Sequence, residues 1–259
     1  MPHPSDKIRL EGFNNLTKVV SFNLYDFAVA RNEAERESYV AYLHAHFSGE
    51  RITAILSKIA SIIDAEVLSV SAQDYDPYGA SSLVLMSDLG HGQVVSKSGE
   101  IVASVGAHLS KSHLCAHTYP DVQDPRGLCT FRADIDIATC GTIVPLRALD
   151  FMFESFENDV VIVDYVVRGF TRDTEGNRVF MDHTVRSIQD FIDPEVLSEY
   201  ECEDLALPSA NIWQTKMIRT DLDPKEYFAP GVDAYTDENR QLFELIKREM
   251  AGIYNNLPG

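Results

Sequence analysis

Residues 19–29, VVSFNLYDFAV, are a run of β-branched and aromatic side chains, and comparable runs recur at residues 66–73, 80–87, 112–119, 130–140, 160–171 and 178–188. Side chains branched at Cβ lose rotamer freedom in a helix and pack well on a pleated surface, so these segments are predicted as strands. The first is apolar enough to be buried on both faces. Helical spacing takes over from Glu33 to Ile63, where Tyr39, Tyr42, Leu43 and then Ile52, Ile55, Leu56, Ile59, Ile62 and Ile63 recur at threes and fours. Ser48 and Gly49 break that pattern into two helices. A third helix is predicted over residues 145–157, with Pro145 at its start, and a closing helix over 238–254. DYDPYG (74–79) and DTEGN (173–177) carry turn chemistry, and the Gly- and Ser-rich residues 87–100 read as an exposed loop. From about Asp193 the pattern is less regular. The fold class is therefore α+β.

With 259 residues, 45% of them hydrophobic, the chain suits one domain over residues 1–259 or two closely packed halves. A formal charge of −18 repels a polyphosphate backbone, which excludes nucleic acid as a partner. No apolar run approaches the ~18 residues needed to cross a bilayer. The opening MPHPSDKIRL also lacks the basic-then-apolar order of a signal peptide. We expect a soluble cytoplasmic protein without a membrane partner, whose cysteines at 115, 129, 140 and 202 are thiols.

Three of the eight histidines and three of the four cysteines fall between His108 and Cys140. Three explanations compete. His113, Cys115 and His117 alternate, share one face of a strand and could ligate zinc with Cys129 or Cys140, but the paired C-x-x-C spacing is missing. Ser112 is a candidate nucleophile outside any G-x-S-x-G context. Buried structural thiols are the simplest reading of Cys115 and Cys129, and Cys202 carries no assignable role.

HLSKSHLCAHTYPD (108–121), followed by GLCTFRADIDIATCG (127–141), closely resembles the cleavage and active-site region of the longer bacterial S-adenosylmethionine decarboxylases. EGFNNLTK (11–18), QDYDPYGAS (73–81), VDYVVRGFTRD (163–173) and HTVRSIQDF (183–191) are similar to the same family. The resemblance weakens at residues 87–100 and after Glu195. It implies an α/β sandwich, antiparallel sheet packed on sheet with helices on the outer face. It also implies a zymogen that cuts itself between Lys111 and Ser112, leaving a β chain (1–111) and an α chain (112–259). Ser112 becomes a covalent pyruvoyl group, His117 accepts a proton during processing, and Cys140 donates one in catalysis.

The implied reaction is decarboxylation of S-adenosylmethionine through a Schiff base on the pyruvoyl ketone, giving the aminopropyl donor of spermidine and polyamine biosynthesis. A thiol, with a reference pKa of about 8.5, suits the proton-donor role. An activating Mg²⁺ fits the bacterial type, although no carboxylate cluster points to its site. Glu11 has no assigned role, and Phe13 could stack on a ligand or pack in the core. The alternatives are a pyruvoyl decarboxylase of ornithine or arginine on the same scaffold, or an unprocessed metal-binding homologue.

One expectation follows from strand geometry. In a regular strand Ser112 and His117 are five steps apart, ~16 Å, and point to opposite faces. His117 then serves the Ser112 of a partner protomer, which requires a homo-oligomer, at least a dimer, unless the strand is broken between them.

Overall fold

The computed structural model describes residues 15–88 and 112–257. Lys111, Glu11 and Phe13 lie outside them. In chain order the main elements are β1 (Thr17–Val29), α1 (Glu33–Phe47), α2 (Gly49–Ile62), β2 (Ala65–Asp74), β3 (Ala80–Asp88), β4 (Ser112–Asp121) and β5 (Leu128–Cys140). There follow α3 (Leu149–Ser155), β6 (Val160–Arg168), β7 (Thr171–Arg172), β8 (Arg178–Val179) and α4 (Pro194–Leu197). β9 (Tyr200–Leu207), β10 (Ile212–Arg219) and α5 (Asp237–Asn255) complete the chain. Eight strands form one antiparallel sheet in the order β2-β3-β4-β5-β1-β6-β10-β9, and β7 pairs with β8.

Alternation along β1 decides how the layers pack. Lys18, Val20, Phe22 and Leu24 point to one face and are buried, beneath α1, α2 and α3. Phe22 meets Phe153 of α3 edge to face at 5.2 Å, and Phe47 of α1 stacks on Phe131 and Phe156 at 4.7 and 5.3 Å. Such aromatic pairs add about 0.5–1.5 kcal/mol each beyond burial. On the opposite face Phe27 and Val29 are buried beside Ile246, Met250 and Tyr254 of α5. The rest of that second face carries half-buried polar side chains, including Ser21, Asn23, Asp134, Asp136 and Asp164. Helices on the outer face of an antiparallel sheet agree with the expected α+β class. The described residues supply one large sheet, with no second large sheet over the open face.

Three segments differ from the sequence reading. Residues 178–188 were expected to be one strand, yet only Arg178 and Val179 pair, because Asp182 and His183 turn inward to hydrogen-bond Lys18 and Tyr165. The predicted strand 160–171 breaks at Gly169, whose φ of +84° ends β6. The irregular C-terminal third contains the hairpin β9-β10, turned at Asn211 with φ +55°.

Asp159, 1% exposed, accepts a hydrogen bond from the Tyr227 hydroxyl at 2.6 Å and another from the Phe27 N–H at 3.1 Å. Burial pushes its pKa up to about 6 against the pull of those two bonds. Neighbouring Asp26 is raised as well, by burial and then by the Asp159 and Glu157 charges. A carboxyl raised on folding binds its proton more tightly in the folded chain. Its contribution to stability is complete below the unfolded value of about 3.9 and is lost as pH rises through the folded value. Asp159→Asn is isosteric and uncharged, and it can offer its amide to the Tyr227 oxygen and its carbonyl to the Phe27 N–H. Thermal denaturation at about pH 5 and about pH 8 will show the variant gaining about 1–3 kcal/mol relative to the parent at the higher pH. An unchanged difference would mean that Asp159 does not titrate in that window.

Candidate active site

Ser112 is the first residue of β4, paired with Met86 of β3. It sits in phase with Leu114 and Ala116, so its side chain turns toward the helix-covered face and is 2% exposed. A buried hydroxyl needs a partner. Ser112 Oγ accepts the backbone N–H of Cys140 at 3.0 Å. Cys140 ends β5, opposite Thr17 of β1, and its half-buried Sγ lies 4.0 Å from Thr17 Oγ1. Two of the residues singled out from sequence are thus brought together by the β1-β5-β4 pairing.

His117 is not brought to them. It lies on the opposite face of β4 from Ser112, next to Ser81 of β3 and Asp134 of β5. Asp134 is already held by the Arg132 guanidinium at 2.9 and 2.7 Å, and Arg132 packs over the rings of Tyr119 and Tyr25 at 5.3 and 5.7 Å. Cys140 shares the open face with His117 but is six residues further along the sheet from Asp134, ~20 Å. The strand between Ser112 and His117 is regular, so the local-break alternative is closed for the described chain.

His113, Cys115 and His117 do share one face, as their alternation requires. Even so, no group of three or more His, Cys, Asp or Glu side chains among the described residues converges on a point that could hold a metal. The Cys115 thiol is 4.0 Å from Asp136, and burial, followed by that carboxylate, raises its pKa.

Sequence reasoning missed the groups that hold the Cys140 turn. Lys18 is fully buried, and its ammonium donates to the carbonyls of Gly141 at 2.9 Å and Ile143 at 3.0 Å and to Asp182 Oδ2 at 2.6 Å. Asp182 Oδ1 lies 2.7 Å from His183 Nδ1, and His183 Nε2 lies 2.9 Å from the Tyr165 hydroxyl. The signal was available: Lys18 keeps phase with Val20, Phe22 and Leu24, and a charge on a buried face must be paired.

An antiparallel α+β protein with a buried serine opening one central strand beside a cysteine ending the next defines a class broader than any one reaction. The sequence profile of S-adenosylmethionine decarboxylase matches residues 37–169. The chain is 44% identical over 261 residues to the S-adenosylmethionine decarboxylase proenzyme of Stenotrophomonas maltophilia (strain K279a), covering 98% of each chain. It is 46% identical over 258 residues to the proenzyme of the same name from Xylella fastidiosa (strain M12), again covering 98% of each. A solved adenosylmethionine decarboxylase from Aquifex aeolicus aligns with a TM-score of 0.34 at 16% identity, over 67% of this chain and 100% of that one. The chain belongs to the S-adenosylmethionine decarboxylase family.

The four cysteines differ in environment. Cys129 is fully buried, and burial pushes its thiol up to about 11. At about pH 8 only about one Cys129 in a thousand is the reactive thiolate. Iodoacetamide on the native protein will therefore leave Cys129 unmodified by peptide mass mapping, and unfolding will expose it to ordinary alkylation. Rapid native labelling there would mean that β5 opens away from its neighbours.

Proposed function

We propose that this protein is the uncleaved precursor of a pyruvoyl-dependent S-adenosylmethionine decarboxylase, a carboxy-lyase acting in the cytoplasm. It is read as a single domain over residues 1–259 that cuts itself between Lys111 and Ser112 into 1–111 and 112–259. The observation that carries this reading is the contact between Ser112 Oγ and the Cys140 N–H at the head of β4. The relatives of matching length bear the name proenzyme, which agrees with a chain that requires processing. Four free thiols suit a reducing compartment, and no helix among the described residues is long and apolar enough to cross a membrane.

The residues present fit a pyruvoyl group at position 112. β4 is paired with β3 on one edge and β5 on the other, so a break before Ser112 leaves the new chain end held in the sheet. Cleavage starts with addition of Ser112 Oγ to the carbonyl of residue 111, which turns the amide into an ester. Loss of the Ser112 α-proton expels the Lys111 carboxylate. Water converts the remaining dehydroalanine into the ketone and releases ammonia. The Cys140 N–H fixes the Oγ rotamer, so the hydroxyl keeps one orientation before the attack. Once formed, the pyruvoyl group supplies a sink for the electron pair left by departing carbon dioxide. The Cys140 thiol, at the end of the strand beside it, holds the proton that the substrate carbon takes up. The described residues offer no cluster for Mg²⁺, and no step is assigned to it.

His117 fits this scheme as a processing residue supplied by a second copy. It points to the face that the helices leave open, away from the Ser112 side chain of its own strand. Two copies meeting through their open faces would form the sheet-on-sheet sandwich and bring His117 of each protomer against the sheet of its partner.

Intact-mass spectrometry of the purified, denatured protein tests the central bond. Two chains divided between Lys111 and Ser112, with a ketone at the head of the larger, are expected, and Ser112→Ala will remain a single chain. Carbon dioxide release from S-adenosylmethionine, and not from ornithine or arginine, fixes the substrate. Persistence of an unmodified parent chain after long native incubation would overturn the reading. For the trans arrangement, a His117→Ala chain mixed with a Ser112→Ala chain will regain processing of the first. Failure to do so would place the base within the same chain.

A further inference from the structure

Outside the residues assigned by the family resemblance, a fully paired buried charge among the described residues lies beside the turn that follows Cys140. Lys18 has no exposed side-chain surface, and its three ammonium donors are all used, two of them on carbonyls of the turn that follows Cys140. Gly141, the first residue of that turn, has φ +75°, a conformation costly for other residues. Its N–H reaches the Leu16 carbonyl at 3.3 Å while its own carbonyl accepts from Lys18. The peptide units on either side of Gly141 are thus tied to β1 at two consecutive points, and the unit just before them carries the N–H that binds Ser112 Oγ.

Lys18 is in turn held by a chain of side chains from other elements. Asp182 sits in the irregular segment after β8, with 22% of its side chain exposed, and it bonds both Lys18 and His183. His183 leans on Tyr165 of β6, a fully buried phenol. Burial works to raise the Asp182 pKa, but the hydrogen bonds and charges of His183 and Lys18 outweigh it and hold the carboxyl below its ordinary value. Burial, and then the Asp182 charge, raises Tyr165 far above the usual phenol range, so its hydroxyl stays protonated.

We infer that Lys18, Asp182, His183 and Tyr165 form a positioning network that clamps the Gly141–Ile143 turn and thereby fixes the Cys140 N–H on Ser112 Oγ and the backbone from which the Cys140 thiol projects. Lys18 is the positioning residue, Asp182 sets its place, and His183 and Tyr165 set Asp182. The inference rests on the reading of Ser112 and Cys140 as the reacting pair, because only then does the turn matter to chemistry. It explains why a lysine occupies a position where Val20, Phe22 and Leu24 would suggest another apolar residue. It also explains why residues 181–187 leave strand pairing.

The test uses the full-length protein and the variants Lys18→Met, Asp182→Asn and Tyr165→Phe, with Ser112→Ala as control. Three readouts are needed: the rate of self-cleavage, the steady-state constants of processed enzyme, and amide hydrogen exchange at residues 140–143. Lys18→Met is expected to slow cleavage on the order of 100-fold, the scale of an ångström's misplacement of a reacting group. Asp182→Asn and Tyr165→Phe, which delete a charge and a hydroxyl without loss of bulk, should slow it about tenfold. In the processed enzyme kcat should fall in the same order with KM nearly unchanged, and exchange at residues 140–143 should accelerate. A merely structural role would lower thermal stability without that split between kcat and KM. Should Lys18→Met fail to fold, the other two variants decide the matter. Parent-like cleavage, kcat and exchange in both would overturn the network. A parent that never cleaves, with exchange still accelerated in the variants, would leave the clamp standing and refute the functional reading instead.

Discussion

Because β1 is hydrogen-bonded along its whole length to β5 and along most of it to β6, it fixes the register of the two halves of the sheet at once. Its pairs with β5 run without a slip from Thr17 and Cys140 to Val29 and Leu128, and those with β6 run from Thr17 and Arg168 to Tyr25 and Val160. A shift of one residue in either ladder would turn Val20, Phe22 and Leu24 out of the core and bring Ser21 and Asn23 into it. Cys140 stands between two ladders, opposite Thr17 through the β1–β5 register and beside Ser112 through the β4–β5 register. β5 therefore links the register that buries the core to the one that brings Ser112 and Cys140 together.

The cost of this arrangement is a charge inside the sheet's covered face. Taking an ammonium out of water costs several kcal/mol, and the loss is offset only when every donor finds a well-placed acceptor. Lys18 meets that condition by drawing Asp182 and two turn carbonyls around it, which bends residues 181–187 away from the strand their composition favours. At the other end of β1, half-buried Asp26 and buried Asp159 have less compensation, and the pKa of each is raised. One end of the central strand holds a paired charge and the other a pair of carboxyls with raised pKa. Only the first adjoins residues with chemistry to perform.

The central strands were legible because they are buried on at least one face and so rich in Val, Ile, Phe and Tyr. The break at Ser48 and the closing helix were legible because capping and spacing are local properties. The hairpin β9-β10 was not, since β9 reads YECEDLAL and lies at the sheet edge with Leu205 and Leu207 exposed. An edge strand needs no apolar face of its own, and its acidic side chains resist pairing with other chains. Within the site, resemblance named Ser112, His117 and Cys140. Simple alternation already placed His117 on the wrong side of its strand to reach Ser112. The Lys18 contacts escaped notice because Asp182 is 164 residues away along the chain, and nothing local links the two.

On the proposed reading, the chain must break its own backbone, and it then faces a conflict between reactivity at one bond and retention of the fold once that bond is gone. The position of Ser112 resolves it. A cut at the first residue of β4 removes none of the pairs that β4 makes with β5, beginning at His113 and Ala138. Before the cut Ser112 lies opposite Met86 of β3 and buried beneath the helices, which places residue 112 inside the sheet. The new terminus therefore gains chemical freedom without positional freedom. In the proposed scheme the proton-bearing thiol, Cys140, belongs to a neighbouring strand whose pairing with β1 the cut does not touch. In the proposed scheme, then, the β4–β5 ladder that juxtaposes residues 112 and 140 before cleavage is still there to hold them in catalysis.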